Sequence, residues 1–132
     1  MKRNFPSVLL ALPLIFAFQC GKDDDVYCTM EFRSITLEIQ DPMGMTLVPD
    51  SFFVVDVAQR DTVRTHLTDD FGFEGIVVFS DAEMNLTNTD AQGKLFRLTA
   101  YSGPQLILTE DYRIRHDRCH IELVSGPTAI QL

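Results

Sequence analysis

Three histidines and nineteen acidic residues are where chemistry could start in this 132-residue chain. His116 and His120 stand four apart with Asp117 between them. On a helix that spacing turns both imidazoles toward one metal ion. Here the surrounding residues read as a turn followed by a strand, in which positions 116 and 120 lie about 13 Å apart. The pair is expected to be a solvated turn histidine and a strand-surface histidine. His66 alternates against an apolar set and is expected to face solvent as well. Asp69, Asp70 and Glu74 gather carboxylates on a glycine-bearing loop, the ligand type calcium takes, although the spacing is not that of an EF-hand. They are the remaining metal candidates, and the expectation is no metal and no cofactor. Nucleophilic catalysis needs a nucleophile beside an oriented base. There is no Gly-x-Ser-x-Gly elbow, and Ser102-Gly103-Pro104 and Ser125-Gly126-Pro127 read as turns. No residue is assigned as catalytic, and the chain is not expected to be an enzyme.

The cysteines are more informative. Met1-Lys2-Arg3 is a basic start, and Val8 to Phe18 is apolar apart from Pro13. Eleven residues are too few to span a bilayer, which needs about twenty. A basic start followed by such a run is the layout of a secretory signal. The run ends on Ala17-Phe18-Gln19-Cys20, which resembles the lipobox of bacterial lipoproteins. That resemblance implies cleavage before Cys20 and lipid on it, although Ala17 and Gln19 stand where Leu and a small residue are usual. An ordinary cleaved signal is the alternative. Gly21-Lys22-Asp23-Asp24-Asp25 should be a solvated tether. It also resembles the export signal that sends Bacteroidota lipoproteins to the outer face of the outer membrane; display on the periplasmic face is the alternative. If Cys20 carries lipid, Cys28 and Cys119 remain, and an exported pair should form a disulfide. The expected division is 1–19 signal peptide, 20–26 lipidated tether and 27–132 folded domain.

Charge excludes one class of partner. Cleavage would remove Lys2 and Arg3, leaving 19 acidic residues against nine basic ones. That opposes nucleic-acid binding, which needs a basic footprint. It also leaves membrane attachment to the lipid.

The elements that must position these residues read as strands. Phe52–Val57, Val63–Leu67, Ile76–Phe79, Leu95–Tyr101, Leu106–Leu108 and Tyr112–Ile114 are strand candidates, and Phe52–Val55 is expected to be central. Cys119, Ile121 and Leu123 share one face, with His120 and Glu122 on the other. Cys28, Met30 and Phe32 share a face near the start, and the apolar phase then shifts to Ile35, Leu37 and Ile39. Such a slip marks a bulge or a break between two strands. Glu83 to Thr89 reads as loop. Turn chemistry sits between the candidates, as at Asp41-Pro42-Met43-Gly44 and Asp90-Ala91-Gln92-Gly93. The expected fold is all-β: an antiparallel β-sandwich of about seven strands, with one disulfide tying the first strand to a late one.

Thr89-Asp90-Ala91-Gln92-Gly93-Lys94-Leu95-Phe96 resembles the turn-and-strand signature of carboxypeptidase-regulatory-like domains. Thr68-Asp69-Asp70-Phe71-Gly72-Phe73 is a looser match. Asp117-Arg118-Cys119-His120-Ile121 followed by Ile130-Gln131-Leu132 looks like the closing strands of such domains in Bacteroidota lipoproteins. The resemblance implies a prealbumin-like sandwich without catalysis, over about Met30 to Leu132. Asp61-Thr62-Val63 resembles the O-glycosylation motif of exported Bacteroidota proteins, with Thr62 the glycan acceptor. The functional expectation is a lipid-anchored, non-catalytic module of the cell envelope, with an envelope protein or glycan as partner. The alternative is an inhibitor, or a small hydrolase using a loop site.

Overall fold

The computed structural model describes residues 27–64 and 75–132. The expected signal and tether, Cys20, the strand candidate's His66, and the metal candidates Asp69, Asp70 and Glu74 lie outside the described residues. Eight strands are present among the described residues: β1 (Ser34–Gln40), β2 (Ser51–Asp56), β3 (Asp61–Arg64), β4 (Ile76–Ser80), β5 (Lys94–Ser102), β6 (Gln105–His116), β7 (Ile121–Ser125) and β8 (Ala129–Gln131). A 3-10 helix, Asp81–Leu86, follows β4, where the sequence suggested only loop.

One sheet has the order β4-β1-β8 and the other β3-β2-β5-β6-β7. Alternating apolar residues bring the two together. Ile35, Leu37 and Ile39 of β1 are buried, as are Phe52 and Val54 of β2, Phe96, Leu98 and Ala100 of β5, and Tyr112 and Ile114 of β6. Phe79 meets Phe96 across the sandwich, with ring centroids 4.7 Å apart. Opposite β1, the register passes from Phe79 to Val77 and leaves Val78 as an extra residue. A bulge of this kind shifts the alternation by one, so Val78 and Phe79 both reach the core. The pairs are antiparallel except β1 with β8, which run parallel.

Three expectations change. The segment Cys28–Phe32 belongs to no strand and is exposed, so the phase slip near Ser34 is where a strap ends and β1 begins. Leu106–Leu108 and Tyr112–Ile114 belong to one long strand, β6, because the polar residues between them pair across to β5. The disulfide does join Cys28 to Cys119, with Cα atoms 5.2 Å apart. It ties the strap to the turn before β7, and not one strand to another.

The crossover from β7 to β8 turns on Gly126, whose φ is +139°. A Cβ built there would lie 2.5 Å from Cδ1 of Tyr112. Tyr112 is fully buried, and its hydroxyl donates to the Pro127 carbonyl at 2.8 Å. Burial pushes its phenol pKa well up. Gly126→Ala should therefore combine backbone strain with overpacking and cost about 2–3 kcal/mol. Urea unfolding would measure it, and a loss below the scatter of surface variants would refute the packing argument.

Candidate functional site

Strap, 3-10 helix and β7 meet at one end of the sandwich. β1 starts at Ser34, and the strap before it is held by the Cys28–Cys119 bridge. Asp117 makes the turn that carries Cys119: its Oδ1 accepts the N–H groups of Cys119 and His120, both at 2.7 Å. Those two donors hold its carboxyl below the usual carboxylate range, against a smaller opposing push from burial. The turn places His120 just before β7, so strand alternation does not govern its side chain. His120 is buried, contrary to the expected surface position.

Nδ1 of His120 lies 2.8 Å from Oδ2 of Asp81, and Nε2 lies 3.2 Å from Oγ1 of Thr29. Asp81 is also the acceptor for two main-chain donors. Its Oδ2 takes the Arg33 N–H and its Oδ1 takes the Ile121 N–H, each at 2.8 Å. Burial pushes the Asp81 carboxyl up, but these donors and His120 outweigh burial and hold it below its ordinary value. Because a carboxylate can only accept, Nδ1 of His120 carries a proton. In the neutral ring Nε2 is then the acceptor for the Thr29 hydroxyl.

Asp81–His120–Thr29 is thus a carboxylate–imidazole–hydroxyl chain, the connectivity through which an oriented base can act on a nucleophile. It also has a structural reading. One carboxylate ties the approach to β1, the start of β7 and a buried histidine together. The sequence reading missed Asp81. A signal was there: Ser80-Asp81-Ala82-Glu83 has the Ser-x-x-Glu pattern that opens a helix. Glu83 does reach back to the Ser80 N–H at 2.9 Å and pairs with Arg64 at 2.6 Å.

His116 turns elsewhere. Its Nδ1 lies 2.6 Å from Oγ1 of Thr87, which donates to the Met84 carbonyl at 2.8 Å. The two histidines therefore serve different partners. A groove of about 550 Å³ lies beside His116, lined also by Arg115, Asp117 and Glu122. Among the described residues, no three His, Cys, Asp or Glu side chains cluster to hold a metal. Thr62 is exposed on β3, at the edge of its sheet.

As the strap does at Tyr27, Met30 and Phe32, the other end of the sandwich also exposes apolar side chains. There the loop between β1 and β2 carries Met43, 87% exposed, and Met45, 66% exposed. Asp41 fixes this loop by accepting the N–H groups of both methionines on Oδ1. The β5–β6 turn lies beside it, since the Gly103 N–H donates to Asp50. Leu132 is adjacent through its N–H to the Gln40 carbonyl, 2.9 Å. Leu106 and Leu132, both exposed, lie at this same end.

The chain matches no protein-family model, no curated protein and no solved structure.

Proposed function

We propose that this chain is a lipid-anchored, non-catalytic binding module of the cell envelope, of the Bacteroidota outer-membrane type. One observation carries the reading: the strap and the apolar tip occupy opposite ends of the sandwich. A chain anchored at Cys20 would enter the domain through Tyr27 and Cys28. β1 then runs about 23 Å to the methionine loop. A tether at one end leaves the other end, rigid and apolar, facing away from the membrane. Isolated apolar side chains are ordinary on surfaces, but a group of them on a loop held by its own hydrogen bonds marks a contact site. The partner is an envelope protein or glycan, and the module needs no cofactor.

The test is a crosslinking pull-down from intact envelopes with three forms of the protein. Wild type should stay with the membrane and capture a stoichiometric partner. Cys20→Ala should lose its acyl label and leave the membrane fraction. Met43→Asp/Met45→Asp should remain anchored and lose the partner. Retention of Cys20→Ala on the membrane would overturn the anchor, and equal capture by the methionine variant would overturn the tip. A small hydrolase is a second reading, favoured by the Asp81–His120–Thr29 chain. Covalent capture of Thr29 by a sulfonyl fluoride probe would move the assignment to it.

A further inference from the structure

The strap is pinned on one side and bare on the other. Cys28 is bridged to Cys119, and Oγ1 of Thr29 bonds to the ring of His120. Those two side chains face the domain. Tyr27, Met30 and Phe32 are turned outward, 87%, 104% and 65% exposed. Scattered apolar side chains need no explanation on a protein surface, but these three fall within six residues of one fastened segment. Among the described residues no strand pairs with the strap, so their apolar character contributes little to the fold.

We infer that the strap rests on the bilayer to which the chain is anchored, with these three side chains at the level of the lipid headgroups. The inference rests on the reading of Cys20 as the lipid site. Tyr27 is seven residues on from Cys20, and seven residues span at most about 25 Å however they run. The start of the strap therefore stays within that distance of the membrane surface. Such a gap is narrower than a folded domain of about 100 residues, whose radius of gyration alone is about 13 Å. The bilayer itself is the surface in reach. A short link also keeps the strap at a high effective concentration against it, so weak contacts suffice.

The side chains suit that level of a membrane. Tyrosine joins an apolar ring to a hydroxyl that stays with the headgroups, and phenylalanine and methionine enter the acyl boundary. Charge adds little, because exposed Arg33 and Arg118 are matched by exposed Glu31 and Asp117. The contact is therefore apolar and does not require anionic lipid. It orients the domain, while the lipid on Cys20 retains it. With the strap at the bilayer, β1 starts on the membrane side and the methionine loop lies at its far end.

The chain contains no tryptophan, so an introduced indole reports one position. The test compares Phe32→Trp with Met43→Trp in the full chain, purified with its lipid and placed in phosphatidylcholine vesicles brominated near the headgroup. Phe32→Trp should emit at shorter wavelength than Met43→Trp and be quenched about twofold or more by the bromines. Met43→Trp should keep its intensity. Raising the salt concentration or adding phosphatidylglycerol should change neither result. Equal quenching at both positions, none at Phe32→Trp, or quenching that salt abolishes would each overturn the inference. So would a shift at Phe32→Trp that appears without vesicles and grows with protein concentration, which assigns the strap to a second copy of the chain. Acyl label on Cys20 reports the anchor separately. Labelled protein without quenching overturns the strap contact alone, whereas protein without label overturns the anchor and the strap contact with it.

Discussion

Asp81→Ala should destabilise the domain by about 3–5 kcal/mol, the largest loss expected from any single side chain at the strap end. The carboxylate bonds strap, β7 and the buried His120 at once, beside the Cys28–Cys119 bridge and the bond from the Asp81 N–H to the Arg33 carbonyl. Removing it leaves the Arg33 and Ile121 N–H groups and the buried His120 ring without the acceptor they share. The Ile121 N–H and the His120 ring are part-buried and cannot turn to water without opening the junction, whereas the Arg33 N–H is exposed. Asp81→Asn keeps the shape but puts an NH2 group against one of the three donors, so it should cost less, about 2–3 kcal/mol. The acid limb gives a second readout. The folded carboxyl is held below its unfolded value, so its contribution is fully present above the unfolded value. It is lost as pH falls through the folded one. Both values lie in the acid range, so the wild-type advantage over Asp81→Asn should be constant at neutral pH and shrink below about pH 4. Asp117 and Asp56 are held low in the same sense and set the acid sensitivity that remains in the variant. A constant gap between wild type and variant down to pH 2 would show that Asp81 does not act as a charged acceptor.

The contrast between Asp81 and β5 shows what a sequence can and cannot display. Alternation in β5 is legible because Phe96, Leu98 and Ala100 lie two apart and all face the core. The disulfide was legible from counting cysteines, because reading Cys20 as a lipid site leaves one pair to join. Ser80-x-x-Glu83 marks the helix that carries Asp81, but no pattern along the chain links Thr29, Asp81 and His120 to one another. They are distant along the chain and converge only when the strap, the helix and β7 meet. The alternation rule failed at His120 because the Asp117 turn, and not the strand, sets that side chain. It failed at Cys28, Met30 and Phe32 for the opposite reason. The pattern is present, but no neighbouring strand receives it, and Met30 is fully exposed. β6 was divided in two because Thr109-Glu110-Asp111 is polar. In the sheet these residues face Thr99, Leu98 and Arg97, and Asp111 forms a paired salt bridge with Arg97. Polar residues inside a strand are stabilised by their cross-strand partners, which a single strand's sequence does not contain.

Reducing the Cys28–Cys119 bridge should cost up to about 4–5 kcal/mol, because the bridge closes nearly the whole domain into one loop. The two cysteines are 91 residues apart, so the unfolded chain loses much of its freedom while they are joined. In the folded state the bridge holds little more than the strap, which has no ladder of its own. These two roles predict different results. If the bridge acts through the unfolded chain, the Cys28→Ser/Cys119→Ser protein should melt at least about 10 °C lower. Its urea dependence should also steepen, because the unfolded chain expands and exposes more surface. The core resonances of Phe79 and Tyr112 should stay in place, since both side chains are fully buried in the core. If the bridge merely fastens the strap, melting should change little and only the Thr29–His120 contact should be lost. Thr29→Val separates the cases from the other side. It removes that contact and leaves the bridge, and should cost no more than about 1 kcal/mol. A double-cysteine variant no less stable than Thr29→Val would place the bridge's effect in the strap alone and overturn the loop-closure argument.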